Sequence, residues 1–151
     1  MVKLLQEKDF IGSCVVTSQA YTSSQKVKQL DPSIKTVYVT NFAYGDIVRM
    51  KAADAFSIKH ITVSERLVNK IHASGKEVYV WTIDTPTIVD TMILRQVDNI
   101  ITNDVPMVKE RIQMSDISIE TRKYINRLKD LLNYDTVYNR LRKTIKKHLG
   151  M

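Results

Sequence analysis

The sequence predicts an α/β fold built on parallel strands. Five short runs of β-branched and apolar residues recur along residues 14–102, and their starts lie about 22, 19, 23 and 21 residues apart. Each interval has room for one strand, one helix and two short loops. The runs are apolar on both sides of the pleat, which is typical of strands covered on two faces. They are Cys14–Ser18, Thr36–Thr40, Ala55–Ile58, Val78–Ile83 and Asn99–Thr102.

Helix signals occupy the stretches between these runs. The segment Thr62–Glu65 has the pattern of a capping box, and Gly75 is expected to follow the helix as its C′ residue. Thr85 is a predicted N-cap with Pro86 at position N1, and Pro106 is expected to open another helix. Because a parallel return needs a crossover of this length, the strands are expected to be parallel.

Both an open doubly wound sheet and a barrel agree with this pattern. An eight-stranded (β/α) barrel usually takes about 250 residues, whereas the repeats here fill about 100. Five barrel strands alone would leave two unpaired edges and an uncovered interior face. If this is barrel sequence, we therefore expect part of a barrel, completed by a missing N-terminal portion or by a partner chain.

The last part of the chain has a different character. Residues 115–151 contain nine Lys and Arg against four Asp and Glu, a net charge of +5 within a total of +7. Apolar residues at helical spacing accompany these charges, which predicts a basic amphipathic helical hairpin. The predicted division is residues 1–114 as the α/β part and residues 115–151 as a basic tail. The tail suits an anionic membrane surface.

Composition excludes several classes of protein. One cysteine rules out an internal disulfide framework, and no segment has the features of a signal peptide or a transmembrane helix. The expected location is therefore cytoplasmic or membrane-associated. A Gly-rich phosphate loop and Cys/His metal spacing are both absent from the sequence.

Three residues at predicted strand ends are candidates for ligand binding. Alternation places Tyr79, Trp81 and Ile83 on one face of the fourth run, where Trp81 is either a wall of a ligand pocket or a core aromatic between strand and helix. Lys59 follows the third run, so it either holds a phosphate or is a solvated loop residue.

Asn103 ends the fifth run, just ahead of the helix expected at Pro106. Backbone N–H groups at that helix start could receive a phosphate. Asp104 is alternatively a simple N-cap of the same helix.

Paired motifs in the second half of the α/β part resemble one enzyme family. The segments Val78–Ile83 and Val97–Asn103 are similar to the V-W-T strand and the G-V-D-x-I-I-T-D-like strand of the glycerophosphodiester phosphodiesterases. Upstream, Val15–Gln19, Leu30–Ile34 and Ser64–Lys76 are similar to the family's strand ending in Ser-Phe, its Pro-containing loop and its next helix and turn. The resemblance covers roughly residues 10–113, with Gln19 in place of the usual Phe.

The resemblance implies a TIM-type barrel that hydrolyses glycerophosphodiesters to an alcohol and glycerol phosphate. It also implies a divalent cation, calcium or magnesium, and two histidines that transfer protons. The family's motifs for these groups, His-Arg-Gly, Glu-x-Asp, His-Asp and Glu-x-Lys, are not found as a set in this chain. The chain is therefore expected to supply about the last five of eight strands, and we assign it no catalytic residue and no metal ligand.

Two functional hypotheses follow. The first is the C-terminal portion of a glycerophosphodiester phosphodiesterase, inactive alone, with Trp81, Lys59 and Asn103 as substrate-binding residues. The spacing from Asn103 to Pro106 is similar to the spacing found in the branch of the family that has an N-terminal membrane region. The alternative is a non-catalytic half-barrel that forms a homo-oligomer and binds a membrane or a protein through its tail. Nucleic acid is a disfavoured partner, because the tail's Tyr and Leu residues lie at helical core spacing.

Overall fold

The computed structural model describes residues 1–43 and 45–115. Five strands form one parallel sheet in the order β1-β2-β3-β4-β5, so each strand lies beside its neighbour in sequence. The parallel five-stranded sheet confirms the predicted α/β fold. The strands are β1 (Val15–Ser18), β2 (Lys35–Thr40), β3 (Ala55–Lys59), β4 (Glu77–Trp81) and β5 (Asn99–Ile100).

Five α-helices accompany the sheet in the described part of the chain. They are α1 (Val2–Glu7), α2 (Tyr21–Leu30), α3 (Glu65–His72), α4 (Pro86–Leu94) and α5 (residues 105–115). Among the described residues, no helix is both long and apolar enough to cross a bilayer. The predicted hairpin falls on residues that lie, after Ser115, outside the description, so the division at residues 114 and 115 stays a prediction.

One face of the sheet packs against the helices. Phe56 and Ile58 of β3 and Val78 and Val80 of β4 are fully buried, and they share a hydrophobic cluster with Val68, Ile71, Val89, Met92 and Val108 of the helices. Burial of such side chains contributes about 1.5–3 kcal/mol each. The alternate positions of the same strands belong to the opposite face.

The strand boundaries correct one detail of the predicted alternation. β4 ends at Trp81, and Ile83 is fully buried within the cluster that contains Val80. Alternation therefore does not continue to Ile83, which packs with the helix-side core and not on the Trp81 face. Trp81 itself is half-buried.

The ends of α3 differ in part from the predicted capping box. Ser64 is the N-cap, and its hydroxyl accepts a hydrogen bond from Leu67 N at 3.2 Å, while Thr62 belongs to a short 3₁₀ turn. Gly75 has a positive φ of 73° and donates to His72 O, as expected of a C′ residue. Thr85 and Pro86 take the predicted positions at the start of α4.

The β2–β3 connection departs from the regular pattern of strand and helix. Its described residues contain one 3₁₀ turn, Ile47–Arg49, and no α-helix. Asp46 in this connection forms ion pairs with Arg49 and with Lys70 of α3. The pair with Lys70 links the connection to α3.

Two aspartates form matched contacts where strands begin, at the amino edge of the sheet. Asp54 precedes β3, and its Oδ2 accepts hydrogen bonds from Thr36 N at 2.7 Å and from Lys28 Nζ at 2.7 Å. Asp98 precedes β5, and its Oδ2 accepts from Val78 N at 2.7 Å and lies 2.8 Å from His72 Nε2. In each case the preceding strand supplies the backbone donor and the helix before that strand supplies the cationic or imidazole group.

Candidate ligand-binding edge of the sheet

Because the strands are parallel, the residues that follow them meet at one edge of the sheet. In α/β barrels this carboxyl edge is where binding and catalytic groups lie. We define the carboxyl edge here by five residues: Lys59, His60, Trp81, Asp84 and Asn103. They follow or end β3, β4 and β5.

Trp81 and Lys59 lie side by side at this edge. They are paired in the β3–β4 register, so both side chains belong to the same face of the sheet. Trp81 alternates with the core residues Val78 and Val80, which places it on the face opposite the helix-packed core. This position disfavours the interpretation of Trp81 as a core aromatic between strand and helix. Lys59 is exposed and is the last residue of β3, not part of a loop.

His60 connects the ends of β3 and β4 by a hydrogen bond. Its Nδ1 lies 3.2 Å from the carbonyl oxygen of Trp81. Since a carbonyl only accepts, Nδ1–H is the donor, and in the neutral ring Nε2 is then unprotonated. The contact fixes the backbone of Trp81 relative to the neighbouring strand.

Asp84 connects the ends of β4 and β5 by hydrogen bonds. Its Oδ1 accepts from Asn103 N at 2.7 Å and from Thr102 Oγ1 at 3.0 Å, and its Oδ2 accepts from Asn103 Nδ2 at 2.8 Å. The hydrogen bond from the Asn103 backbone, followed by that from its side chain, lowers the pKa of Asp84 below the ordinary value of 3.8. Because the Asp84 carboxylate stays ionised, it accepts these three hydrogen bonds throughout the neutral pH range.

The start of α5 confirms the N-cap interpretation of Asp104. Its Oδ1 accepts from Met107 N at 3.1 Å, and its own N–H donates to Thr102 Oγ1 at 2.9 Å. Asn103 donates its backbone N–H and one of its two side-chain N–H groups to Asp84. These donors are therefore engaged within the chain. The predicted role of Asn103 in binding a ligand stays a prediction.

The sequence reasoning overlooked Asp84 and the contact made by His60. Asp84 directly follows the V-W-T-I segment, so its position after a strand was a usable signal. Its partner lies 19 residues away, and His60 lies 21 residues from Trp81. Contacts over such separations are not visible in the pattern of one sequence.

The described residues do not form a metal centre. Within residues 1–43 and 45–115, no three His, Cys, Asp or Glu side chains converge. A Glu-x-Asp triplet does occur at Glu7–Asp9, but it lies on α1 and the turn after it, ahead of β1. The described residues therefore offer a divalent cation no set of ligands.

Comparison with known proteins decides the family. Residues 7–107, about two thirds of the chain, match the model of the glycerophosphoryl diester phosphodiesterase family. The chain belongs to this family. The match confirms the resemblance that the paired V-W-T and I-I-T motifs indicated.

Curated relatives agree with the family match. Glycerophosphodiester phosphodiesterase GDPD4 of Arabidopsis thaliana is 26% identical over 106 residues, which cover 67% of this chain and 32% of that protein. The Bacillus subtilis protein YhdW is 28% identical over 107 residues, which cover 67% of this chain and 44% of that protein. The chain thus spans less than half of the length of each of these relatives.

Solved structures of the family share the fold. A phosphodiesterase from Oleispira antarctica, solved with the product sn-glycerol-3-phosphate, gives a TM-score of 0.59 at 17% identity and covers 64% of this chain and 40% of that one. A glycerophosphodiester phosphodiesterase from Parabacteroides distasonis gives 0.64 at 16% identity and covers 75% and 47%. The partial overlap agrees with the predicted partial TIM-type barrel.

Proposed function

We propose that the protein acts in the hydrolysis of glycerophosphodiesters to an alcohol and glycerol phosphate. In this proposal the chain contributes one wall of the substrate pocket, formed at the carboxyl edge of β3, β4 and β5. The single observation that carries it is the register pairing of Lys59 with Trp81 at that edge. A cation beside an aromatic side chain suits a ligand that combines a phosphate with a glycerol backbone.

The surrounding contacts support a preformed wall. His60 fixes the Trp81 carbonyl, and Asp84 fixes Asn103, so three neighbouring strand ends are connected by side chains. A binding group held by its neighbours loses less conformational freedom when the ligand arrives. The product named for the Oleispira antarctica structure, sn-glycerol-3-phosphate, provides a natural probe.

The catalytic steps belong to the family, and we assign none of them to this chain. A divalent cation, calcium or magnesium, would neutralise phosphate charge in the complete site. The described residues offer it no set of ligands. Asn103 would act by shaping the pocket through Asp84, since its backbone N–H and one of its side-chain N–H groups are already bonded there.

Two measurements on the 151-residue chain test the proposal. Titration with sn-glycerol-3-phosphate should give a saturable change in the fluorescence of Trp81, the sole tryptophan, and titration with glycerol should not. Assays with glycerophosphocholine and calcium or magnesium, followed by ³¹P NMR, should show no turnover. A response to sn-glycerol-3-phosphate no stronger than that to sodium sulfate would contradict the binding proposal. Robust hydrolysis would contradict our assignment of no catalytic residue to this chain.

The remaining proposals concern partners and location. We further propose that residues 115–151 bind a membrane surface and that the chain forms a homo-oligomer through its sheet. The corresponding location is cytoplasmic or membrane-associated. The observation that favours an oligomer is β1 at one edge of the sheet, where Val15 is 45% exposed. An unpaired strand edge can pair with another chain.

A further inference from the structure

Large apolar side chains are exposed on two turns at the carboxyl edge of the sheet. Ile61 is 75% exposed, the highest value for a large apolar residue in the part of the chain that the structure describes. It is the middle residue of the 3₁₀ turn His60–Thr62, which follows β3. Phe42 follows β2 and is 51% exposed. We refer to Phe42 and Ile61 together as the apolar rim.

A hydrogen bond brings the two turns of the apolar rim together. Thr62 Oγ1 lies 2.9 Å from Lys59 O, which closes the turn of Ile61. The same hydroxyl lies 3.2 Å from the carbonyl oxygen of Asn41, the residue before Phe42. The two exposed side chains therefore belong to neighbouring segments of one surface. Clustered apolar exposure of this kind marks interaction sites more often than single exposed residues do.

The turn of Ile61 is fixed on both sides. Val63 is buried in the main hydrophobic cluster, and its carbonyl oxygen accepts a hydrogen bond from Arg95. On the other side, His60 Nδ1 donates to Trp81 O at 3.2 Å. Because its neighbours are anchored, the turn cannot easily fold Ile61 back onto the protein. The exposure of Ile61 is therefore a property of a fixed turn.

The charges near the apolar rim indicate the kind of partner. Residues 41–49 and 59–70, which contain the rim, hold four Lys and Arg against two Asp and Glu. One of the two acids, Asp46, is paired with two of these cations. The cations Lys59 and Arg66 are exposed. Apolar side chains flanked by an excess of cations are complementary to the interface of an anionic bilayer.

We propose that the carboxyl edge of the α/β part docks on an anionic lipid surface, with Ile61 and Phe42 inserted at the interface. A stable protein interface buries about 800 Å² on each partner, which is more than two side chains on turns provide. A bilayer, in contrast, accepts single apolar side chains, since each gains from leaving water. The docked orientation turns the candidate ligand-binding edge toward the lipid. This docking holds or fails separately from the proposed hydrolysis.

Co-sedimentation of the 151-residue chain with vesicles tests the docking. The native chain should bind vesicles of equal parts phosphatidylcholine and phosphatidylglycerol. Ile61→Ser should weaken this binding about tenfold, because the inserted side chain is lost. The matched control is Leu30→Ser, which removes a 69% exposed leucine at the end of α2, on the amino edge, and should leave the binding unchanged.

Three results would overturn the docking: no binding of the native chain, native binding strength in Ile61→Ser, or an equal loss in Leu30→Ser. Native binding strength in Ile61→Ser would assign the vesicle binding to residues 115–151 instead. None of these experiments contains glycerol phosphate, so each result leaves the proposed function standing. Far-UV circular dichroism checks that both variants are folded.

A measurement on the native chain decides if a variant is not folded. In ¹H–¹⁵N spectra with lipid nanodiscs of the same composition, a gadolinium-chelating lipid should broaden the amide resonances of Phe42 and Ile61. The amides of Leu30 and Leu94, at the ends of α2 and α4 on the amino edge, should stay sharp. Broadening at Leu30 and Leu94, or at none of the four, would contradict docking through the carboxyl edge.

Discussion

The two edges of the sheet use polar side chains in opposite ways. At the amino edge Asp54 and Asp98 join strands to helices, and Lys35 is bonded to Glu77. At the carboxyl edge the donors of Lys59 and Trp81 have no partner among the described residues. The amino edge therefore stabilises the fold through its polar side chains, whereas the carboxyl edge is where we propose that a ligand binds, as in α/β barrels generally.

Hydrogen bonds also stabilise the carboxyl edge. His60 and Asp84 connect the ends of β3, β4 and β5 through hydrogen bonds of 2.7–3.2 Å. These contacts engage backbone groups and Asn103, and none of them uses Trp81 Nε1 or Lys59 Nζ. The ends of β3, β4 and β5 are therefore held in place relative to one another by these contacts.

The largest expected effect is on stability at the amino edge. Asp54→Ala removes the acceptor of Thr36 N and Lys28 Nζ, and we expect a loss of about 2 kcal/mol in the free energy of unfolding. Solvent screening limits this loss, because the Asp54 side chain is 37% exposed. Denaturant unfolding followed by circular dichroism measures it.

The matched variant at the carboxyl edge is Lys59→Met, which should change the free energy of unfolding by less than about 0.5 kcal/mol. A loss for Lys59→Met equal to that for Asp54→Ala would remove the distinction between the edges.

The next expected effect is a smaller loss in the free energy of unfolding, for Asp98→Ala compared with Asp54→Ala. Asp98→Ala should cost about 1–2 kcal/mol, because it removes the acceptor of Val78 N and the contact with His72. Asp54 additionally accepts from Thr36 Oγ1 at 3.2 Å, so its replacement should be the more damaging. The same unfolding experiment checks the order, and a larger loss for Asp98→Ala would contradict the greater contribution assigned to the Asp54 contacts.

Sequence reasoning predicted the elements better than the contacts between them. The runs at β1 to β5 were recognisable because β-branched residues recur at regular spacing, and Gly75 was recognisable because the left-handed conformation favours glycine. The β2–β3 connection was expected to contain a helix, yet its described residues form a single 3₁₀ turn.

The candidate site was predicted only in part. Trp81 and Lys59 were identified because each ends a strand, and the parallel register brings them together. Asp54, Asp84 and Asp98 were missed, since their partners lie 18 to 26 residues away. Such pairs depend on the tertiary fold, and one sequence without relatives does not show them.

A third effect concerns acid stability. Burial raises the pKa of Asp54, but hydrogen bonds from Lys28 and from the Thr36 backbone outweigh it, so the pKa lies below 3.8. A carboxylate with a lowered folded pKa contributes stability above its unfolded pKa and loses it as pH falls through the folded value. Between pH 3.8 and the lower folded pKa, the native chain should therefore lose this stability, and Asp54→Asn should decline less steeply.

Unfolding free energies measured for both proteins from about pH 5 to pH 2 compare the two slopes. Parallel curves would show that Asp54 does not titrate differently in the folded state.

The most direct test of the contrast between the edges is a map of backbone amide shifts on addition of sn-glycerol-3-phosphate to the full chain. We predict that the shifts concentrate at His60, Thr82 and Asn103, which lie at the carboxyl edge. The amides of Thr36 and Val78, which are bonded to Asp54 and Asp98 at the amino edge, should remain unmoved. Shifts centred on Thr36 and Val78, or spread evenly over both edges, would contradict the account.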